Sequence, residues 1–376
     1  MGGRRQVKNT VLSFSSAVLS VLLVAGSLHC QTTPGGVTSP PNLLLRNYRP
    51  NSIYHLPYVD IRKAKTLAID MYSTPQAKSE KQLGEWVEHM NSCGIEKAIV
   101  LTDAYGRKFD SLKTFYSKYP KRFELFCGID LSGYYKRGFA EKSVRELKQC
   151  YAEGAKGVGE LVDKSRGFVH TTPPAYWVHI DDPRLGPLLD ECAKLGMPVS
   201  ISIGEPQWCY EPMDSTNDGL MGAYYRRFSM GWDYNLNQEL AHLARAVAEH
   251  PKTIFIAAHL ANQMTDLEKL GKLFDKYHNL YADISLSYAD LATIPRYARS
   301  FLEKYSRQIL YATDMDEGSH MYHVTFTILQ TKDEHFYAVN LLKTIWPLYG
   351  LGLNDKTLKR IYRENALNIL TGRFGK

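Results

Sequence analysis

Asp314 is the residue whose setting most suggests chemistry. A short apolar run, residues 309–312, ends abruptly in Thr313-Asp314, and a polar stretch, Asp316-Glu317-Gly318, follows. A buried parallel strand reads this way when its carboxyl end delivers one acidic side chain to a pocket. Similar apolar runs elsewhere end in Tyr72 and Thr74, Glu160, Ser202, His259 and Asp283. These types suit general acid–base work: carboxylates that take a proton, an imidazole that polarises or donates, and hydroxyls that hold a developing oxyanion.

Each residue also has a structural explanation. Asp314 could cap a strand end, and His259 could be a satisfied core histidine. Glu160, within an apolar strand, needs a partner to be buried, and Lys164 or Arg166 just downstream could supply it. Tyr72 could simply fill space, and Trp208 and Tyr210 could be loop packing.

The elements that must position these groups alternate. Apolar runs at 67–70, 98–102, 123–129, 157–161, 199–203, 254–258, 280–284 and 309–312 read as strands. Amphipathic stretches at 80–91, 142–153, 183–195, 237–250 and 265–277 lie between them, and 356–370 reads as a final helix. Strands alternating with helices imply right-handed βαβ units and a parallel sheet, and eight such strands close a (β/α)8 TIM-type barrel in the α/β class. No G-x-G-x-x-G follows the first strand, where a dinucleotide-binding open sheet would carry it. The longest insertion, 204–234, follows the fifth strand and is rich in Trp, Tyr, Met and acids, among them Glu205 and Trp208. In a barrel it sits over the carboxyl-end mouth, where ligands bind.

From about residue 46 to 370 the chain resembles the amidohydrolase superfamily, in its amidohydrolase-2 branch of hydrolases, lactonases and decarboxylases. The resemblance rests on Ile69-Asp70-Met71, Gly154-Ala155-Lys156-Gly157-Val158-Gly159-Glu160-Leu161, Asp182-Pro183-Arg184-Leu185-Gly186, Gly204-Glu205, Phe255-Ile256-Ala257-Ala258-His259, Leu310-Tyr311-Ala312-Thr313-Asp314 and Tyr362-Arg363-Glu364-Asn365-Ala366, in that order. It implies a divalent metal, commonly zinc, held by H-x-H after the first strand, a His on the fifth and an Asp on the eighth, with a His on the sixth assisting. Here the H-x-H positions fall on Tyr72 and Thr74 and the fifth-strand position on Ser202, so only His259 and Asp314 match. A phenol and two hydroxyls are weak ligands for a transition metal, and catalytic zinc keeps three protein ligands. The expected cofactor is therefore none, with zinc disfavoured by the ligand set.

At the N-terminus, Arg4, Arg5 and Lys8 precede a mostly apolar segment, 11–26, and small residues at 25–27. This reads as an export signal over 1–30, followed by a linker at 31–50 and the barrel at 51–376. A periplasmic or cell-envelope location follows, with a lipid anchor on Cys30 the one membrane attachment considered. Net charge is +7, but the 46 Lys+Arg are scattered among 39 Asp+Glu, so nucleic acid is not an expected partner. The six cysteines lie at irregular spacings without C-x-x-C, which indicates neither a zinc ribbon nor a disulfide framework.

The leading expectation is an amidohydrolase-type hydrolase of a small carbonyl- or carboxylate-containing molecule. Asp314 is its general base, His259 its polarising group and Glu160 a third catalytic residue, while Glu205, Lys164, Trp208 and Tyr72 bind substrate. The alternative is a non-catalytic exported barrel that binds a small ligand or a partner protein.

Overall fold

The computed structural model describes residues 42–226, 235–314 and 318–373. The segment expected to be an export signal and most of the expected linker lie outside these residues. Two compact units are distinguished, Met1–Tyr48 and Arg49–Lys376. Of the first, residues 42–48 are described and carry a short 3-10 turn at Leu45–Asn47.

In the second unit eight parallel strands form one sheet: β1 (Ala68–Ser73), β2 (Ile95–Leu101), β3 (Phe123–Cys127), β4 (Gly157–Asp163), β7 (Val199–Ile203), β8 (Phe255–Ala257), β9 (Leu280–Asp283) and β10 (Ile309–Leu310). A small antiparallel hairpin, β5 (Gly167–Phe168) and β6 (Ala175–Tyr176), follows β4. The ladder runs in the order given, and backbone bonds from Met71 N to Tyr311 O and from Asp314 N to Tyr72 O carry β10 back to β1. This is the TIM-type barrel expected from the eight apolar runs.

Alternate strand residues separate two cores, as the period of two requires. Ile69, Met71, Ile99, Leu101, Ile256 and Leu310 face the inner cluster, whereas Ala68, Ala98, Val100 and Phe255 join the larger cluster between sheet and helices. Ala366 and Ile369 from the terminal helix Asn365–Leu370 also belong to the inner cluster, so the barrel's interior is packed rather than open. At the start of β4, a Cβ on Gly157 would lie 2.5 Å from the Phe126 ring, so only glycine lets β4 approach β3 there.

The helices between strands begin and end on recognisable chemistry. Ser79 caps Glu80–Cys93 by accepting from Gln82 N, and Gly94 ends it at φ 75°. Asn235 and Gln238 form a capping box on Leu236–Glu249. The helix Ser319–Gln330 was not among the amphipathic stretches because it is apolar nearly all round, with Met321, Tyr322, Val324, Phe326, Ile328 and Leu329 all buried. Gly106–Tyr116 and Pro295–Lys304 were likewise not foreseen. Among the described residues no helix is long and apolar enough to cross a membrane.

Candidate functional site

The strand ends converge as a barrel requires, and each brings its own support. β1 ends at Asp70-Met71-Tyr72. The Asp70 carboxylate is fully buried and accepts from Thr313 N at 3.0 Å, Thr313 Oγ1 at 2.6 Å and Tyr72 N at 3.3 Å. It thereby locks the β10 end, and Asp314 with it, against β1. Burial outweighs those bonds and lifts its pKa to about 6.

At the end of β8 the chain turns through four consecutive non-glycine residues with positive φ, His259 to Asn262. Such backbone is costly for L-residues and persists only where its surroundings hold it. Here Asn262 Nδ2 donates to Ile203 O and Gly204 O, both at 3.0 Å, and His259 N donates to Asp283 Oδ1 at 3.2 Å. The turn aims the imidazole across the mouth.

The ring's orientation is set from behind. His259 Nδ1 lies 2.8 Å from Ser285 Oγ and 3.2 Å from Ser285 O, and the Ser285 hydroxyl donates to Asp283 Oδ1. A carbonyl only accepts, and a hydroxyl already donating to a carboxylate presents lone pairs, so Nδ1 carries the proton. Nε2 faces Asp314, 3.8 Å from its Oδ2. Among the described residues Asp283 Oδ2 finds no hydrogen-bond partner, although the residue is 1% exposed. Burial raises this carboxyl to about 6.

Tyr72, 2% exposed, lies with its ring centroid 5.5 Å from that of His259. Its hydroxyl donates to the Glu160 carboxylate. Burial, then the charges of Glu160, Asp314 and Asp283, push the phenol well above its ordinary range. Burial likewise raises Glu160, against the lowering effect of the Tyr72 bond and the Lys164 charge.

The partner expected for Glu160 is engaged elsewhere. Lys164 Nζ pairs with Glu205 Oε1 at 2.9 Å, and Arg166 stacks over the Trp177 ring at 5.8 Å. Sequence proximity suggested the Glu160 pairing, but the chain after β4 carries Lys164 toward the loop after β7. That loop is held from below: Glu205 N donates to the Tyr210 hydroxyl at 3.0 Å, and Tyr210 donates to Glu239, which also accepts from Ser165 N. Trp208 packs on Gly219 within its own loop. Thr74 accepts from Gln76 Nε2 at 2.6 Å.

Sequence reasoning thus brought Asp314, His259, Glu160 and Tyr72 together and missed Ser285, Glu239 and Asp70 as supports. The Asp-x-Ser spacing of Asp283 and Ser285 just past β9 was the available signal for one of them. Outside this centre, His179 and His242 stack with centroids 3.8 Å apart, each held by an aspartate, Asp163 and Asp181.

The donors at the centre do not make a transition-metal site. The Tyr72 hydroxyl is committed to Glu160 and Thr74 to Gln76, leaving one imidazole and one carboxylate at the expected positions. Among the described residues no three His, Cys, Asp or Glu side chains are grouped to hold a metal ion.

The model of the Amidohydro_2 family, described as amidohydrolase, matches residues 134–371, well over half of the chain. The chain belongs to the amidohydrolase-2 family. The match begins after β3, so the Tyr72 and Thr74 positions lie outside it. No curated protein sequence matches the chain. Among solved structures, one from Staphylococcus aureus assigned to the amidohydrolases superposes with a TM-score of 0.52 at 14% identity, over 81% of this chain and 99% of that one. An amidohydrolase from Burkholderia multivorans gives 0.49 at 10% identity, over 81% and 99%. The 4-oxalomesaconate hydratase of Rhodopseudomonas palustris gives 0.43 at 12%, over 81% and 96%. At such identities the first likeness speaks for the shared barrel, and family membership supports a hydrolase-type function.

Proposed function

We propose that this amidohydrolase-2 protein hydrolyses a small carbonyl-containing molecule by acid–base chemistry at His259 and Asp314. Asp314, part-exposed at the mouth, takes the proton of an attacking water. Nδ1–H of His259 is committed to Ser285, so Nε2 is the atom that meets the reacting carbonyl. An N–H at that atom polarises the oxygen of the reacting carbonyl. Glu160, protonated more readily than an exposed carboxyl, serves as the acid toward the leaving group, with Tyr72 holding its orientation. Lys164 and Glu205 position the substrate at the rim.

The observation that carries this reading is the Asp283–Ser285–His259 chain, which orients one imidazole nitrogen onto Asp314. A panel of lactones, esters and amides is the test, read as hydrolysis by the wild type and by Asp314→Asn. Loss of about 100-fold or more in the variant, with an unchanged melting temperature, is expected. Equal turnover by the two proteins overturns the assignment.

A second reading, a barrel that binds without turnover, draws support from the near-complete burial of Tyr72 over the centre. It expects ligand-dependent thermal stabilisation and no hydrolysis of any panel member.

A further inference from the structure

Away from the mouth centre, two imidazoles lie face to face. The rings of His179 and His242 have centroids 3.8 Å apart and planes within 11° of parallel. Their carboxylate partners differ in what else they meet. His179 Nδ1 lies 2.8 Å from Oδ1 of Asp163, a fully buried residue whose Oδ2 accepts from Ile180 N at 2.8 Å. No lysine or arginine of the described residues pairs with Asp163. His242 Nδ1 lies 2.7 Å from Oδ1 of Asp181, but Oδ2 of that carboxylate pairs with Arg245 Nε at 2.5 Å, and Arg245 Nη2 stands 2.8 Å from the same Nδ1. Asp181 thus has a counter-charge without His242, whereas Asp163 has none without His179. The charge on which the stack depends is therefore that of His179. Glu239 and Asp181 also face His179, and the Asp182–Arg184 ion pair adjoins Asp181.

The stack joins two parts of the mouth's support. Asp163 ends β4, and its backbone O accepts from Gly204 N at 3.1 Å. His242 belongs to the helix Leu236–Glu249, whose Glu239 holds Ser165 N and the Tyr210 hydroxyl. We propose that the His179–His242 stack is a proton-operated latch, which clamps this helix and the loop it supports to the end of β4 while His179 is charged and releases them when that proton leaves. A neutral His179 leaves Asp163 as a buried carboxylate with no counter-charge among the described groups, a costly state that opening to water relieves. Burial by itself lowers the His179 imidazole, yet the hydrogen bond and charge of Asp163, then the charges of Asp181 and Glu239, leave it raised above the ordinary 6.5. A group raised on folding adds stability that is full below 6.5 and is lost as pH rises through the higher folded value. The latch is closed on the acid side of that value and opens on the alkaline side.

The test follows the full chain between about pH 5.5 and 9. Histidine ring resonances, with His179 assigned by its absence from His179→Gln, should show His179 titrating with a midpoint above 6.5. Asp163→Asn should bring that midpoint below 6.5. Amide hydrogen exchange reads the clamp itself. Protection of the helix Leu236–Glu249, relative to the helix Glu80–Cys93 that carries none of these groups, should fall at least about tenfold from pH 6 to pH 9. His179→Gln should hold one level of protection at both pH values, and His242→Phe, which keeps a ring on the stack, should retain the response. A His179 midpoint at or below 6.5, or wild-type protection that does not change with pH, overturns the latch. A response kept in His179→Gln, or lost in His242→Phe alone, overturns it as well. Where a melting curve shows that a variant is unfolded, the wild-type titration and exchange decide by themselves.

Discussion

Nε2 of His259 stands 3.8 Å from Oδ2 of Asp314. The gap is longer than a direct hydrogen bond and short enough for each group to feel the other's charge. The two residues are 55 positions apart in sequence and come from different strand ends, β8 and β10. Each is pinned from behind: His259 through Ser285 to Asp283, and Asp314 through the Thr313–Asp70 bonds and its own N–H to Tyr72 O. Rigid second contacts of this kind let a pair act on a substrate without reorganising.

Metal content is the first measurement to make. Protein from zinc- and manganese-supplemented medium, purified without chelator, is expected to carry well under one metal per chain, and added chelator should leave its melting temperature unchanged. Retention of about one metal per chain through dialysis would overturn the reading of the donor set.

Asp283 makes stability depend on pH in an unusual direction. Its folded pKa of about 6 lies above the ordinary carboxyl value of 3.8, so between the two the folded state holds a proton that the unfolded state has lost. Stability from this group is full below pH 3.8 and declines as pH rises toward about 6, by roughly 1–3 kcal/mol in all. Asp70 acts in the same sense. Urea unfolding across pH 4 to 7 should therefore show a shallower decline for Asp283→Asn than for wild type. Parallel curves for the two proteins would mean that the burial cost is not carried by Asp283.

Tyr210→Phe removes a hydroxyl that donates to Glu239 and accepts from Glu205 N. Both partners are buried, so the loss should be about 1–3 kcal/mol in chemical denaturation. Tyr210→Phe with full wild-type stability would show that the loop after β7 does not depend on this bridge.

Gly204 joins β7 to that loop at φ +63°, and a Cβ there would lie 2.4 Å from Glu239 Oε2 and 2.7 Å from Leu236 Cδ1. Gly204→Ala combines left-handed strain with overlap and should destabilise by about 2–4 kcal/mol. A melting temperature within a degree of wild type would contradict the close approach of the helix Leu236–Glu249 to this turn.

Much of the fold and half of the centre could be read from the chain itself. All eight barrel strands coincide with the apolar runs, because strand burial is a local pattern of side-chain type with a fixed period. Asp314, His259, Glu160 and Tyr72 were legible for the same reason: in a parallel barrel the polar residue that ends an apolar run must face the mouth. Their partners were not. Lys164 pairs with Glu205, 41 positions on, rather than with Glu160 four positions back. Glu239 serves Ser165 and Tyr210 from a helix whose inward face shows only as amphipathic. The tautomer of His259 depends on a serine two residues past a different strand. Periodicity says which face a side chain leaves from. Which donor meets which acceptor depends on distances across the barrel, and only the folded chain sets those.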